Sequence, residues 1–267
     1  MFNTFLLGLA GGMLVVLATG RPDQISWRFL RLVAMLTFAM VAVVIVQAWS
    51  PRRGPWVTFF PQGALASANA LGACLLIGLA PLAKRWSGWF RGVAGAAGAA
   101  GLVAAALSGA SRTAAPENTT MLILLVPVSF VLGSFLLGSI TVAWLLGHAY
   151  LTASRMTLAP LRHFSRVLSW AVLVRGTFLF ASLGVAYAFR NGSGLDVWTD
   201  LRSAWLIVLL RAGVGVVALA VFAYLVRACV RVRATQSATG ILYFGSVFAY
   251  IGELASQHLL LECGWPL

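Results

Sequence analysis

The sequence predicts an all-α fold, a bundle of about eight membrane-spanning helices. Hydrophobic residues make up 61% of the 267 positions and charged residues only 9%, a balance that water-soluble domains of this length do not have. The hydrophobic residues also fall into runs of about 20 residues each, the length that a helix needs to cross the hydrocarbon core of a bilayer. Helices are the expected form because an open sheet would leave backbone groups unpaired in lipid.

The runs are bounded by arginine, proline or polar clusters. The first has no basic segment ahead of it and no small-residue cleavage site before Arg21, so we expect a retained helix and not a signal peptide. The fourth is rich in glycine and alanine, which is typical of closely packed membrane helices. The longest connection, residues 148–166, is too short for a second core, so we expect a single domain, residues 1–267. The eight predicted spans are residues 3–19, 29–49, 63–83, 92–110, 121–147, 167–189, 203–226 and 238–261.

Basic residues alternate in number from one connecting loop to the next. The loops after spans 1, 3, 5 and 7 together contain 12 arginine and lysine residues and one acid, Asp23, whereas the other three loops contain five basic residues. The positive-inside rule places the first group in the cytoplasm and both termini outside, on the periplasmic side of a bacterial-type inner membrane. The net charge of +13 is therefore a topology signal, and nucleic acid is not expected as a partner. Trp265 and other tryptophans near span ends predict an aromatic belt at the interface with the membrane lipid.

Polar residues of span 8 are spaced 4, 3, 4, 3 and 4 positions apart, which places them on one face of a helix. At ~1.5 Å per residue this stripe is roughly 27 Å long, close to the thickness of the hydrocarbon core. Such a face is not expected to point to lipid, so it should look into the bundle, a cavity or a bound cofactor. Tyr243, Tyr250 and Gln257 are its candidate cofactor-binding residues. The stripe consists of Thr239, Tyr243, Ser246, Tyr250, Glu253 and Gln257.

Three charged residues lie inside the predicted spans. Arg211 and Glu253 are each ~12 Å below the outer boundary by helical rise, so we expect them to pair, either as a structural ion pair or as the centre of a solute, quinone or proton site. Arg175 is predicted in the cytoplasmic half, beyond the reach of any carboxylate of this chain. Backbone carbonyls, Tyr243, the membrane interface, a haem propionate, a lipid phosphate or an acidic residue of another subunit would then neutralise it.

Two histidines flank the connection between spans 5 and 6. His148 ends span 5 and His163 precedes span 6, so both imidazoles are predicted at the cytoplasmic face. They could ligate the iron of a haem b whose propionate meets Arg175, or they could be interfacial histidines without a ligand. Neither belongs to the spaced pairs of histidines that bind metal ions in helices, and the cysteines have no metal-ligand spacing, so no other metal site is expected.

Eight spans with both termini outside, together with Gly252-Glu253-Leu254 in the last span, resemble the membrane anchor subunits of the dimethyl sulfoxide reductase and polysulfide reductase group. Those anchors bind quinol near the outer face and pass electrons to an iron–sulfur partner. The resemblance implies a quinone- or quinol-interacting subunit of a multi-subunit respiratory complex, either non-catalytic or quinol-oxidising. Glu253 would accept a quinol proton and Arg211 would hold its charge.

A transporter for protons or a small acidic solute is the alternative. Arg175 and Arg211 would then recognise the acidic solute at two depths along the polar stripe. Transporters commonly contain internal repeats or broken helices, and the two halves of this sequence show no matching hydropathy or Gly/Pro breaks.

Overall fold

The computed structural model describes residues 2–48, 60–111, 120–152, 157–188 and 197–267. Eight helices within these ranges are long and apolar enough to cross a membrane, which confirms the prediction of a polytopic helical bundle. Large apolar side chains such as Leu71, Trp170 and Phe244 are more than 60% exposed on the outside of the bundle. The protein is therefore a multi-pass membrane protein whose outer surface contacts lipid.

The helices follow one another in the order of the predicted spans. The seventh crossing is segmented: two short α-helices precede a π-helical segment, Gly213–Ala218, and a further α-helix follows it. Short 3-10 turns occur at Pro22–Gln24 and Ala80–Leu82. The α-helices are α1 Phe2–Thr19, α2 Trp27–Ala48, α3 Phe60–Leu79, α4 Ser87–Ala110, α5 Thr120–Thr152, α6 Ala159–Ala188, α7 Val197–Ser203, α8 Trp205–Ala212, α9 Leu219–Arg231 and α10 Thr235–Cys263.

Helix α6 begins earlier than predicted. Its first residue is Ala159, eight positions before the predicted start at residue 167. The first two turns contain Arg162, His163 and Arg166, and their polarity led to their assignment to a loop. The error changes the distance of every α6 residue from the start of the helix by ~12 Å.

Helix α1 packs closely against α4 and α5 through glycines. A Cβ atom on Gly11 would lie 2.7 Å from the backbone nitrogen of Leu102, and one on Gly138 would lie 2.1 Å from the carbonyl carbon of Gly12. A side chain at either position would therefore overlap the neighbouring backbone, and the glycines allow the helices to approach. The glycine-rich composition of α4 serves the close packing predicted for it, since Gly98 meets the backbone of Val15 in the same way.

The segment after α10 folds back into the bundle. Gly264 has a φ of +65°, the left-handed conformation that commonly ends helices. Beyond it, Trp265 and Leu267 are buried. Two hydrogen bonds join this segment to Ser182 of α6: the indole Nε1 of Trp265 donates to the Ser182 carbonyl at 3.2 Å, and the Ser182 hydroxyl donates to the carbonyl of Pro266. The assignment of Trp265 to an interfacial belt is therefore wrong, because its ring packs against α6.

A buried arginine–glutamate cluster as the candidate functional site

Three charged side chains from three helices meet inside the bundle. Arg175 of α6 donates from Nε to Oε1 of Glu253 and from Nη2 to Oε2, both at 2.9 Å. Nη2 of Arg211, on α8, lies 3.0 Å from the same Oε1. Arg175, Arg211 and Glu253 are 1%, 0% and 3% exposed, so the whole cluster is shielded from lipid and water. The predicted pairing of Arg211 with Glu253 is correct.

Arg175 does not match its prediction. It lies 16 residues after Ala159, which places it ~24 Å from that end of α6 and at the level of Glu253. The prediction that no carboxylate reaches Arg175 is therefore wrong. Counted from Ala188 and Cys263, the last residues of their helices, Arg175 and Glu253 differ in level by only ~5 Å, which their long side chains bridge. Tyr243 and the membrane interface are not its partners.

Every nitrogen of the Arg175 guanidinium group has at least one hydrogen-bond acceptor. In addition to the bidentate contact with Glu253, the group donates to the hydroxyls of Ser129 at 3.1 Å and Ser256 at 3.0 Å, and to the main-chain oxygen of Leu267 at 3.0 Å. Sequence reasoning missed these three residues. Ser256 follows Glu253 by three positions and so shares its helix face, and this spacing could have indicated it from the sequence. No such spacing indicates Ser129 or Leu267.

Arg211 is held differently. Its only ion pair within the described residues is the 3.0 Å contact with Glu253, which is not aligned as a hydrogen bond, and all three guanidinium nitrogens are buried without a hydrogen-bond partner. Arg211 lies two positions before the start of the π-helical segment. There, a Cβ atom on Gly252 would lie 2.4 Å from the Cα of Gly215, so the two glycines bring α10 against the segment. Segments of π-helix are rare and often occur at functional sites.

The cluster contains two cations and one anion. Burial of an unbalanced charge is costly unless hydrogen bonds or a counter-charge compensate it. The serine hydroxyls and the main-chain oxygen of Leu267 compensate Arg175, whereas Arg211 has only its contact with Glu253. The unpaired nitrogens of Arg211 favour negative charge placed close to them.

A small cavity of about 20 Å³ adjoins the cluster. Arg175, Glu253 and Gln257 line it, together with Thr4 of α1. The hydroxyl of Thr4 and Oε1 of Gln257 are buried without a hydrogen-bond partner. A space of this size holds a water molecule but not a quinone ring. The predicted placement of Gln257 beside Glu253 is confirmed, and its unpaired oxygen is available to a water.

A second, larger opening lies on the side of the bundle between α6 and α9, where a groove has a volume of about 600 Å³. Two of its lining residues lie close to the cluster arginines along the chain. Gly176 follows Arg175, and Val216 lies in the π-helical segment after Arg211. A Cβ atom on Gly176 would lie 2.9 Å from Cγ1 of Val216, so the two segments touch. The groove walls are mostly apolar, and Arg231 lies toward the other end.

No known protein family matches the chain, and comparisons with curated proteins and with solved structures found no significant similarity. Geometry is therefore the basis for judging the site.

The two tyrosines of the predicted stripe join α10 to α5. The hydroxyl of Tyr250 lies 2.9 Å from that of Thr141 and accepts a hydrogen bond of 3.4 Å from the indole of Trp144. The hydroxyl of Tyr243 lies 2.9 Å from Nδ1 of His148. Tyr243 is 40% exposed, so the prediction that the whole stripe is shielded from lipid is wrong at this residue. Neither tyrosine lines the cavity beside Glu253.

The two histidines contact different helices. His148 faces Tyr243 of α10, and Nε2 of His163 lies 3.0 Å from the hydroxyl of Thr19 of α1. Arg175, which the haem hypothesis assigned to a propionate, is occupied by Glu253. In the part of the chain that the structure describes, no three His, Cys, Asp or Glu side chains are grouped as metal ligands.

Proposed function

We propose that the protein is a quinone- or quinol-interacting integral subunit of a respiratory or electron-transfer complex in a bacterial-type inner membrane. The groove between α6 and α9 is the binding site for the ring and part of its isoprenoid chain. Its walls are apolar and open to lipid, and a volume of about 600 Å³ falls in the range typical of small-molecule sites. Along α9, Val216 to Arg231 extends over ~23 Å, enough for the ring and the first isoprene units.

The observation that carries the proposal is the shared wall between groove and cluster. Gly176 and Val216 line the groove: Gly176 follows Arg175 on α6, and Val216 lies in the π-helical segment that begins two residues after Arg211. A quinol that loses its protons leaves negative charge on the ring oxygens. The buried guanidinium group of Arg211, whose nitrogens have no hydrogen-bond partner, stabilises such charge across the apolar surroundings, where electrostatic interactions are only weakly screened.

Electron transfer requires a redox centre in a partner subunit. Oxidation of a quinol releases two protons and two electrons, and we assign the acceptor of the electrons to a partner subunit. An iron–sulfur partner, as in the anchor subunits that the sequence resembles, fits this requirement. Glu253 and the water-sized cavity beside it provide the polar side of the site, and the predicted orientation places them nearer the periplasm.

Groove-filling substitutions test the proposal. Ala220 lines the groove, and Val217, one turn earlier, is 55% exposed to lipid outside it. In the complex purified from native membranes, Ala220→Trp should lower the bound quinone and quinol-linked turnover by about tenfold or more, because the indole fills the ring site. Val217→Trp adds a similar side chain outside the groove and should change neither. Equal effects of the two variants, or a wild-type complex without quinone, would refute the proposal.

The transporter alternative is favoured by the enclosed cavity. Its polar lining includes the unpaired atoms of Thr4 and Gln257 next to Arg175, a suitable environment for a proton or a small acidic solute. Vesicles that contain only this protein distinguish the two functions. Proton or carboxylate flux that Gln257→Leu abolishes and Ala220→Trp leaves unchanged would support transport over quinol chemistry.

The orientation is also a proposal, with both termini on the periplasmic side. Val232, which lies between α9 and α10, is 75% exposed, and Thr199 of α7 is exposed on the opposite side of the seventh crossing. In a variant whose three native cysteines are replaced by serine, Thr199→Cys should react with a membrane-impermeant maleimide on intact spheroplasts. Val232→Cys should react only after lysis. The reverse pattern would place the termini in the cytoplasm.

A further inference from the structure

A basic concavity lies at the end of the bundle where α6 begins and where α9 turns into α10. Its volume is about 500 Å³. Three of its lining residues are arginines: Arg162 and Arg166, one helical turn apart on α6, and Arg233, in the turn that joins α9 to α10. The described residues that line it include no acid. Three guanidinium groups around one hollow, without a carboxylate, create a strong positive potential.

The surroundings do not neutralise this charge. A neighbouring hollow of about 360 Å³ shares Arg166 and adds Arg21 and His163. On the side that the loop charges predict to be cytoplasmic, Asp23 is the one acidic residue in the connecting sequence, and it lines neither hollow. An external anion is therefore the natural counter-charge.

Arg233 has an unusual backbone conformation. Its φ is 61°, the left-handed region in which residues other than glycine and asparagine are uncommon. The turn is fixed by hydrogen bonds from the backbone nitrogen of Ala234 to the carbonyl of Cys229 at 2.9 Å and from that of Thr235 to the carbonyl of Arg233 at 3.0 Å. Glycine would adopt this turn without steric cost. The presence of arginine instead suggests that its side chain has a task.

We propose that Arg162, Arg166 and Arg233 bind a phosphate group. The planar guanidinium group forms paired hydrogen bonds to phosphate oxygens, and the first residue of α6, Ala159, lines the same hollow. The hollow has room for a phosphate with its substituent. Two sources share this chemistry: the head group of an anionic phospholipid and a soluble phosphate compound. The site is separate from the quinol groove and does not depend on the function proposed for it.

The test compares a triple variant with a control of equal charge. The site variant is Arg162→Gln, Arg166→Gln, Arg233→Gly. The control, Arg31→Gln, Lys84→Gln, Arg85→Gln, also removes three cations, all from exposed side chains on the same predicted side. Two probes are used on the full-length protein: phosphatidylglycerol against phosphatidylcholine, by native mass spectrometry, and inorganic pyrophosphate, by calorimetry in phosphatidylcholine nanodiscs. The site variant should bind the relevant probe about tenfold or more weakly, because it loses three charge-assisted contacts.

The probe that binds identifies the source. Retention of phosphatidylglycerol without pyrophosphate binding indicates a lipid head group, and pyrophosphate binding indicates a soluble phosphate; either supports the proposal if the control variant binds like the wild type. The proposal is overturned if the wild type binds neither probe or if the control loses as much binding. If the triple variant misfolds, the single variant Arg233→Gly is tested in its place. It is expected to fold, because glycine adopts the left-handed conformation of this turn without steric cost. It should still weaken binding about threefold or more through the loss of one phosphate contact, and unchanged binding would overturn the proposal.

Discussion

The two ion pairs of Glu253 should differ in strength, and a double-mutant cycle can measure the difference. Arg175 forms two aligned, charge-assisted hydrogen bonds of 2.9 Å with the carboxylate, whereas Arg211 makes one contact of 3.0 Å that is not aligned as a hydrogen bond. We expect a coupling free energy of about 2–3 kcal/mol between Arg175 and Glu253. The coupling between Arg211 and Glu253 should be about 1 kcal/mol or less, since misaligned contacts are weaker.

Glu253→Gln alone should lower the free energy of unfolding by about 3–5 kcal/mol, because it leaves two buried arginines without a counter-charge. Removal of Arg211 in that background should recover part of the loss. Arg211→Leu combined with Glu253→Gln is therefore expected to be more stable than Glu253→Gln alone, although Arg211→Leu destabilises the wild type. The opposite order would mean that Arg211 does not need Glu253 as its counter-charge.

Unfolding can be measured by steric trapping or by titration with a denaturing detergent in mixed micelles. Arg175→Gln and Arg211→Gln are the single variants, each combined with Glu253→Gln to complete its cycle. Equal couplings, or a larger one for Arg211, would show that the aligned hydrogen bonds do not decide the energy. If Glu253→Gln is as stable as the wild type, the reasoning is refuted, because burial of the two arginines without the carboxylate would then cost no free energy of unfolding.

Three further substitutions test the packing around the site with the same unfolding assay. Gly252→Ala should destabilise by about 2 kcal/mol because its Cβ would lie 2.4 Å from the Cα of Gly215. Gly240→Ala, whose Cβ would meet no atom within 4 Å, is the matched control; it should not destabilise, because alanine has the higher helix propensity, and an equal loss there would mean that the contact with Gly215 is not the cause. Gly264→Ala should lower the free energy of unfolding by about 1–2 kcal/mol because its φ is +65°. The amide hydrogens of Trp265 and Leu267 should also exchange faster, and unchanged protection would mean that the turn does not hold the segment. Tyr250→Phe should lower the free energy of unfolding by about 1 kcal/mol through loss of the hydroxyl that joins α10 to α5. An unchanged free energy would mean that this hydrogen bonding does not stabilise the fold.

The sequence predicts the bundle well because hydropathy and length determine which segments cross a membrane. All eight predicted spans overlap helices of the structure. The pairing of Arg211 with Glu253 was also predictable, because both depths were counted from span ends that lie near those of the structure. The contact of Arg175 with Glu253 was not, because helical rise gives only the level of each Cα, and two long side chains bridge a difference of ~5 Å. The early start of α6 was missed because hydropathy does not distinguish a polar helical turn from a loop.

Other parts of the site depend on tertiary contacts that leave no periodic signal. The π-helical segment Gly213–Ala218 results from the packing of α10 against glycines, and its sequence is an ordinary apolar run. The return of residues 265–267 into the bundle depends on a partner, Ser182, more than 80 positions away. Gly264 is a recognisable helix-ending residue, but it does not indicate where the chain goes next.

The carboxylate partner of Arg175 is made late in synthesis. Glu253 follows it by 78 residues, so at ~5–20 residues per second the ribosome needs about 4–16 s to supply the carboxylate. During that interval α6 carries an arginine near its middle without its native counter-charge, which disfavours release of the helix into bare lipid. The cell's insertion machinery is therefore expected to retain α6 until α10 arrives, and a chain truncated before residue 253 should be a substrate for membrane proteases.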